Sequence, residues 1–292
     1  MKPIVEFRTN SPLTEEQYTE IDTAIKTAAL SQMKARRIMP TTGPFGFGKE
    51  AISFNKLSQM SDAQISYSWK VDANQDIVNL SPTVLPIPVL SKSFRINARD
   101  LEASRTYGTP LDTQNAKSAG YVVAKKEDEL AFMGYKPDGV NYDIKGLYPS
   151  AGNSYTTSKD FGTATNIPDA INGALAKFYE DDIDGPFNLG LNPVQFAETN
   201  VLIANGGGKS WRQWIEETIG GQVYMTSAIT AGTGLMTTAG DRGFFDLALG
   251  VDLVSRAEQL GLDEGYDLFA VAMETVVPRV FVPEAICALT QI

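Results

Sequence analysis

Between Glu50 and about Asn97 the chain alternates like a strand, yet it cannot form the inside of a sheet. Ile52 and Phe54, then Ile65, Tyr67 and Trp69, fall on every second position, which puts each set on one face of an extended backbone. The stretch Asn55 to Ala63 is polar, and Pro82, Pro86 and Pro88 punctuate the return, each removing a donor that a central strand needs. Together these residues describe a long hairpin whose tip has little core of its own. An arm of that kind lays its apolar side chains on a neighbouring subunit.

Residues 11 to 38 read as a single helix with one sticky face. Thr14 and Gln17 stand at capping-box spacing, and Glu15 and Glu16 put negative charge where the helix dipole favours it. Tyr18, Ile21, Ile25, Ala28 and Ala29 recur at helical spacing, opposite Glu20, Asp22 and Lys26. That stripe must be covered, either by the core or by another chain.

After the glycine and proline turn Thr41 to Gly48 and the arm, Leu111 to Met133 reads as a long helix, on the order of 30 Å, stopped at Gly134. Gly139 to Asn166 is loop-like, and Ile167 to Tyr179 is helical with Pro168 in the first turn. A second unit opens at Gly185 with a strand at Phe187 to Leu191, followed by a helix at Pro193 to Ala204 and a glycine-rich loop. Ser210 caps a helix through Ile219, and Gln222 to Ile229 reads as a strand. Phe244 to Leu289 alternates again. The order of elements is an α+β layout.

With 25 Lys and Arg against 35 Asp and Glu, the net charge of -10 argues against a surface built to hold nucleic-acid phosphates, leaving Lys34, Arg36 and Arg37 as a local basic spot. The chain holds one cysteine and no histidine. Imidazole triads and zinc sites are therefore excluded, and no metal site is expected. The residues carry no apolar run long enough for a bilayer and no secretory leader, so a soluble, cytoplasmic protein is expected. Several fragments imitate catalytic motifs. Gly43 to Glu50 has phosphate-loop spacing, but Glu50 stands where a Ser or Thr belongs. Tyr121 and Lys125 have the i, i+4 spacing of a proton-relay pair in an NAD(P) reductase, without the strand, glycine turn and helix that would hold the dinucleotide. Gly206-Gly207-Gly208-Lys209-Ser210 lacks a phosphate cradle's leading glycine. The acidic run Glu180 to Asp184 lacks calcium-loop spacing, and Trp211 and Trp214 read as packing.

Read in order, these blocks resemble the encapsulins, shell proteins of the linocin-like family with the HK97 phage capsid fold. The residues that carry the resemblance are Ser11 to Asp22 (SPLTEEQYTEID), Arg36-Arg37, Gly43-Pro44-Phe45-Gly46, Phe94 to Glu102, Lys126 to Gly134, Asp184 to Leu189, Phe244 to Asp252, Glu274-Thr275 and Val282 to Ala285. What the resemblance implies is a non-catalytic subunit that self-assembles into an icosahedral compartment around a cargo enzyme. The alternative is a viral major capsid protein enclosing DNA. It also implies an N-terminal helix and arm (1–44), an extended loop (45–90), a peripheral domain with its spine helix (91–184), an axial domain (185–243) and terminal strands of the peripheral domain (244–292).

In relatives the N-terminal helix helps form the groove for the cargo's targeting peptide, so Leu13, Tyr18, Ile21 and Ile25 are the candidate cargo contacts. On that basis Ile21→Asp spares assembly and abolishes loading. The loop Asn205, Gly206, Gly207, Gly208 and Lys209 falls where relatives line a pore. Some relatives stack a flavin on a tryptophan after the Phe94 strand. Arg99 stands in that place here, so no cofactor is expected.

Overall fold

The computed structural model describes residues 15–57, 80–97, 99, 103, 106–107, 113–136, 143–157, 160–204, 207–239, 243–258 and 268–292. Two sheets form the body. The first has the order β1-β11-β12-β4, made from Thr41–Thr42 (β1), Val89–Ile96 (β4), Phe245–Glu258 (β11) and Leu268–Val280 (β12). The second has the order β7-β13-β10-β8-β9, made from Asn153–Thr156 (β7), Phe187–Leu191 (β8), Val223–Met225 (β9), Thr233–Thr238 (β10) and Ile286–Thr290 (β13). A two-stranded ribbon of Ala51–Leu57 (β2) and Leu80–Pro86 (β3) leaves this body, and Gly134–Tyr135 (β5) pairs with Ile144–Lys145 (β6) in a short hairpin.

The N-terminal segment is two helices, α1 (Glu15–Leu30) and α2 (Ala35–Ile38), where a single one was expected. A carboxylate from far along the chain makes the break: Asp128 accepts from the amides of Lys34 (3.1 Å) and Ala35 (2.8 Å), capping α2 and satisfying groups that a continuous helix would have bonded internally. The expected capping threonine, Thr14, lies outside the described residues. The stripe itself is present. Tyr18, Ile21, Ile25 and Ala29 are buried against Ala116, Ala119 and Val123 of the long helix α3 (Gln114–Phe132) and against Phe94 and Leu253 of the first sheet. Each buried isoleucine contributes about 1.5–3 kcal/mol. Gly120 lets the two helices approach closely, since a Cβ there would stand 2.7 Å from the carbonyl of Ile25.

A second core lies between the sheets, formed by Ile38, Phe132, Leu147, Leu235, Phe245, Ile286 and others. A third packs α4 (Ile167–Glu180) and the capped helix α6 (Trp211–Ile219) on the second sheet. The second sheet is wider than the unit expected from residue 185 to 243. It recruits β7, whose parallel pairing with β13 joins Thr156 to Thr290, 134 positions apart, and no local pattern reveals such a partner. The helix α5 (Pro193–Glu198) is shorter than the expected 193–204. Thr199 and Asn200 turn their side chains onto the carbonyl of Phe196, and the carbonyls of Thr199 and Val201 accept from the first amides of α6.

Candidate functional site

Three features of this body bear on function: the ribbon and its root, a cleft beside α1, and a buried charge cluster under α2.

At the root of the ribbon, the glycine-rich segment after β1 lies on β11. Phe45 and Gly46 donate to the carbonyls of Leu249 (3.0 Å) and Gly250 (2.9 Å). Gly43 has φ +127°, and a Cβ there would meet the Leu249 carbonyl oxygen at 2.3 Å, so only glycine fits. No strand feeds this loop into a helix, so the phosphate-loop spacing has no phosphate-binding context. Arg279 donates from Nε to Asp246 Oδ1 (2.8 Å), Thr42 donates to Asp246 Oδ2 (2.6 Å), and the Arg279 guanidinium covers the ring of Phe281 at 5.3 Å. Phe281 in turn meets Phe54 of β2 edge to face. Ile52 and Phe54 thus anchor the base of the ribbon in the core. Val84 on β3 is 64% exposed, and β2 and β3 pair with no strand other than each other among the described residues.

The cleft lies between α1 and the start of α3 and measures about 810 Å³. Thr19, Thr23 and Thr27 line it, and each hydroxyl donates to the carbonyl four residues back, at 2.8, 2.6 and 2.7 Å. With their hydroxyls engaged, these threonines present methyl groups, so a row that looks polar in sequence makes a largely apolar floor. Glu16 and Glu20 border one side and Lys117 the other.

Under α2, Arg36 forms a bidentate pair with Glu127 of α3 (Nε to Oε1 and Nη2 to Oε2, both 2.8 Å), reaches Asp252 of β11 (2.8 Å) and stands 3.2 Å from Glu274 of β12. Glu127 and Glu274 are wholly buried. Between the pairs Val251↔Thr275 and Val254↔Met273, β11 places Asp252 and Leu253 against the single residue Glu274, and this bulge accompanies the turn of Asp252 toward Arg36. Burial works against ionisation of Asp252, but the hydrogen bond and charge of Arg36 hold it below the ordinary carboxylate range. Burial pushes Asp128 up to about 6 despite the amides of Ala35 and Lys34. Arg36 is therefore committed to the fold and is unavailable as part of a nucleic-acid contact.

The sequence-predicted residues fall out as follows. Tyr18, Ile21 and Ile25 are 3%, 1% and 0% exposed, so these candidate cargo contacts are covered by the body of the chain while α1 stays docked. Leu13, Asn205 and Gly206 lie outside the described residues. Gly207 and Gly208 form an exposed turn, both with positive φ, and Lys209 pairs with Glu217 at 2.9 Å. Tyr121 and Lys125 are exposed on α3, and the first sheet is antiparallel apart from β1, which is not the parallel sheet that a dinucleotide-binding reductase is built on. Trp211 and Trp214 pack edge to face on each other, and Arg212 covers Phe196. In the acidic run, Glu180 pairs with Lys177 and Asp181 accepts from Asn153. Sequence reasoning missed the Glu127–Arg36–Glu274 cluster and the threonine floor.

Two sheets, a long helix packed on the first of them and an outstretched ribbon define the HK97-like capsid fold. The virus-like particle from Pyrococcus furiosus superposes with a TM-score of 0.66 at 20% identity, covering 94% of this chain and 100% of that one. The capsid protein of Myoviridae phage XM1 gives 0.60 at 13% identity, covering 89% and 92%. Within that class, residues 5–256 match the Linocin_M18 family, described as encapsulating protein for peroxidase, and the chain belongs to this family of structural shell proteins. The type 1 encapsulin shell protein of Myxococcus xanthus is 26% identical over 96% of this chain and 94% of its own length. A diheme-cytochrome-encapsulin shell fusion protein of Kuenenia stuttgartiensis is 25% identical over 95% of this chain and 73% of its own length. Among the described residues, no helix is long and apolar enough to cross a membrane.

Proposed function

We propose that this chain self-assembles into a closed icosahedral shell and encloses a guest protein, held by an extended tail laid in the cleft between α1 and α3. The observation that supports assembly most directly is the β2–β3 ribbon, anchored at its base by Ile52 and Phe54 and leaving the body with unpaired outer edges and an exposed Val84. Such a ribbon is a ready template for a neighbouring copy. In this reading the ribbon is the extended loop, and the first sheet with α1 and α3 is the peripheral domain. The second sheet is the axial domain, enlarged by β7, α4 and β13. The turn at Gly207 to Lys209 lies beside an opening in the shell. The cytoplasm is the proposed setting.

Size-exclusion chromatography with negative-stain imaging tests assembly: closed particles are expected, and a stable monomer or dimer without particles overturns it. The contents separate a compartment from a DNA-filled capsid. Protein is expected, in keeping with the -10 charge, and packaged DNA overturns the guest reading. For the cleft, Thr23→Trp fills the space from an exposed position without touching the core. Loading of the co-expressed guest is expected to fall at least about tenfold with particle yield unchanged, equivalent to roughly 1.4 kcal/mol of lost binding. Unchanged loading removes the cleft from the proposal.

A further inference from the structure

The two edges of the β2–β3 ribbon differ in chemistry. Ile87 donates to the carbonyl of Glu50 at 2.8 Å, one rung beyond the pair Ala51↔Pro86. Rungs of an antiparallel ladder alternate between pairs that bond each other and pairs that do not. The bonded rungs are therefore Ile52↔Leu85, Phe54↔Thr83 and Lys56↔Ser81, and the residues of the rungs between them turn their amides and carbonyls outward. On β3 these are Leu80, Pro82, Val84 and Pro86, and on β2 they are Ala51, Ser53, Asn55 and Leu57. Pro82 and Pro86 thus stand where a missing N–H costs the ribbon nothing and deprives an incoming strand of every second donor. β2 has a donor and an acceptor at each outward position, with no proline and no charged residue among them. Ser53 and Asn55 are exposed. Among the described residues no strand pairs with the outer edge of β2, and no backbone bond closes it at Ser53 or Asn55. Within the body, helices close such edges: Asn115 of α3 donates to the carbonyl of Arg95 on β4, and Asp22 of α1 accepts from the amide of Ser255 on β11.

We propose that the ribbon is one-sided: a strand of a second copy adds to the edge of β2, and the prolines keep any strand from adding to β3. The proposal rests on the assembly reading above and names the surface through which the ribbon acts. The occupant is a second copy because the chain belongs to a family of shell proteins, and because Ala51, Ser53 and Asn55 offer a partner backbone pairing with no charge to select another chemistry. The asymmetry suits a closed particle. An open β2 lets copies join, and a blocked β3 stops the joined ribbons from recruiting further strands into a growing stack.

Two measurements test it. In intact particles, amide-resolved hydrogen exchange, corrected for intrinsic rates, is expected to show the amides of Ser53 and Asn55 at least about tenfold slower than that of Val84, because only the β2 edge is bonded. Ser53→Pro and Val84→Pro then make the same change on opposite edges of one rung, each removing an outward amide and no bond of the ribbon. Ser53→Pro is expected to lose most of its particle yield, and Val84→Pro is expected to keep the parental yield. Equal exchange at the two edges, or parental yield from Ser53→Pro, overturns the edge assignment while leaving assembly intact. A parent that forms no particles overturns the assembly reading and this one with it. Should both variants fail to assemble or to fold, the exchange contrast in the parent decides alone.

Discussion

Arg36→Met is expected to abolish particle formation at neutral pH. The side chain is the only cation bonded to Glu127 and Glu274 in the described structure, and both carboxyl groups are wholly buried. Removing one partner of a buried pair leaves the other charge uncompensated, at a cost of about 3–5 kcal/mol. A domain's whole stability is about 5–15 kcal/mol, so the loss is a large fraction of it. The loss is concentrated where α2, α3, β11 and β12 meet. Soluble particle yield and the denaturant midpoint, both read at one protomer concentration, measure it. Arg36→Met combined with Glu127→Gln and Glu274→Gln removes the buried acids together and is expected to recover most of the yield, because the penalty belongs to buried carboxyl groups left without their donor. Parent-like particles from the single variant would mean that the cluster is solvated.

Ile21→Asp is the second large effect, and the burial of Ile21 argues for a different outcome from the one the family resemblance implies. By that resemblance the residue faces a guest and its change spares assembly. In the fold it is 1% exposed among Phe94, Ala119, Val123 and Leu253. The substitution removes buried methyl groups and inserts a carboxyl into an apolar site, a cost on the order of 4 kcal/mol. The expected result is an undocked α1, proteolytic sensitivity in the first forty residues and few particles. Thr23→Trp, on the exposed face of the same helix, is expected to leave assembly intact. Normal assembly of Ile21→Asp would show that α1 is not docked through this stripe in the particle.

This contrast marks what the sequence could and could not express. The stripe on α1, the long α3 with its stop at Gly134 and the cap at Ser210 were legible because periodicity and caps are local. Which way the stripe faces was not, because an apolar face looks the same whether it meets the core or a partner. The break between α1 and α2 depends on Asp128, and the polar row Thr19, Thr23 and Thr27 becomes an apolar floor only through its bonds to the helix backbone. Arg36, Glu127 and Glu274 are ordinary surface residues by composition. Only the fold brings together three ionisable groups 91 and 238 positions apart.

The place of β13 between β7 and β10 in the second sheet bears on when a subunit becomes competent. β13 is hydrogen-bonded to β10 on one side and to β7 on the other, so the sheet draws on strands from Asn153 to Thr290. On the ribosome, β7, β8, β9 and β10 emerge well before the strand that joins them, and β7 has no sheet to attach to until it arrives. Contacts of such long range form late in folding. A nascent chain with its ribbon already exposed therefore lacks a finished body to present to neighbours, which delays association until synthesis has passed β13. Subunits would then join a growing shell as completed units, and polysome-bound chains would be poor nuclei for it.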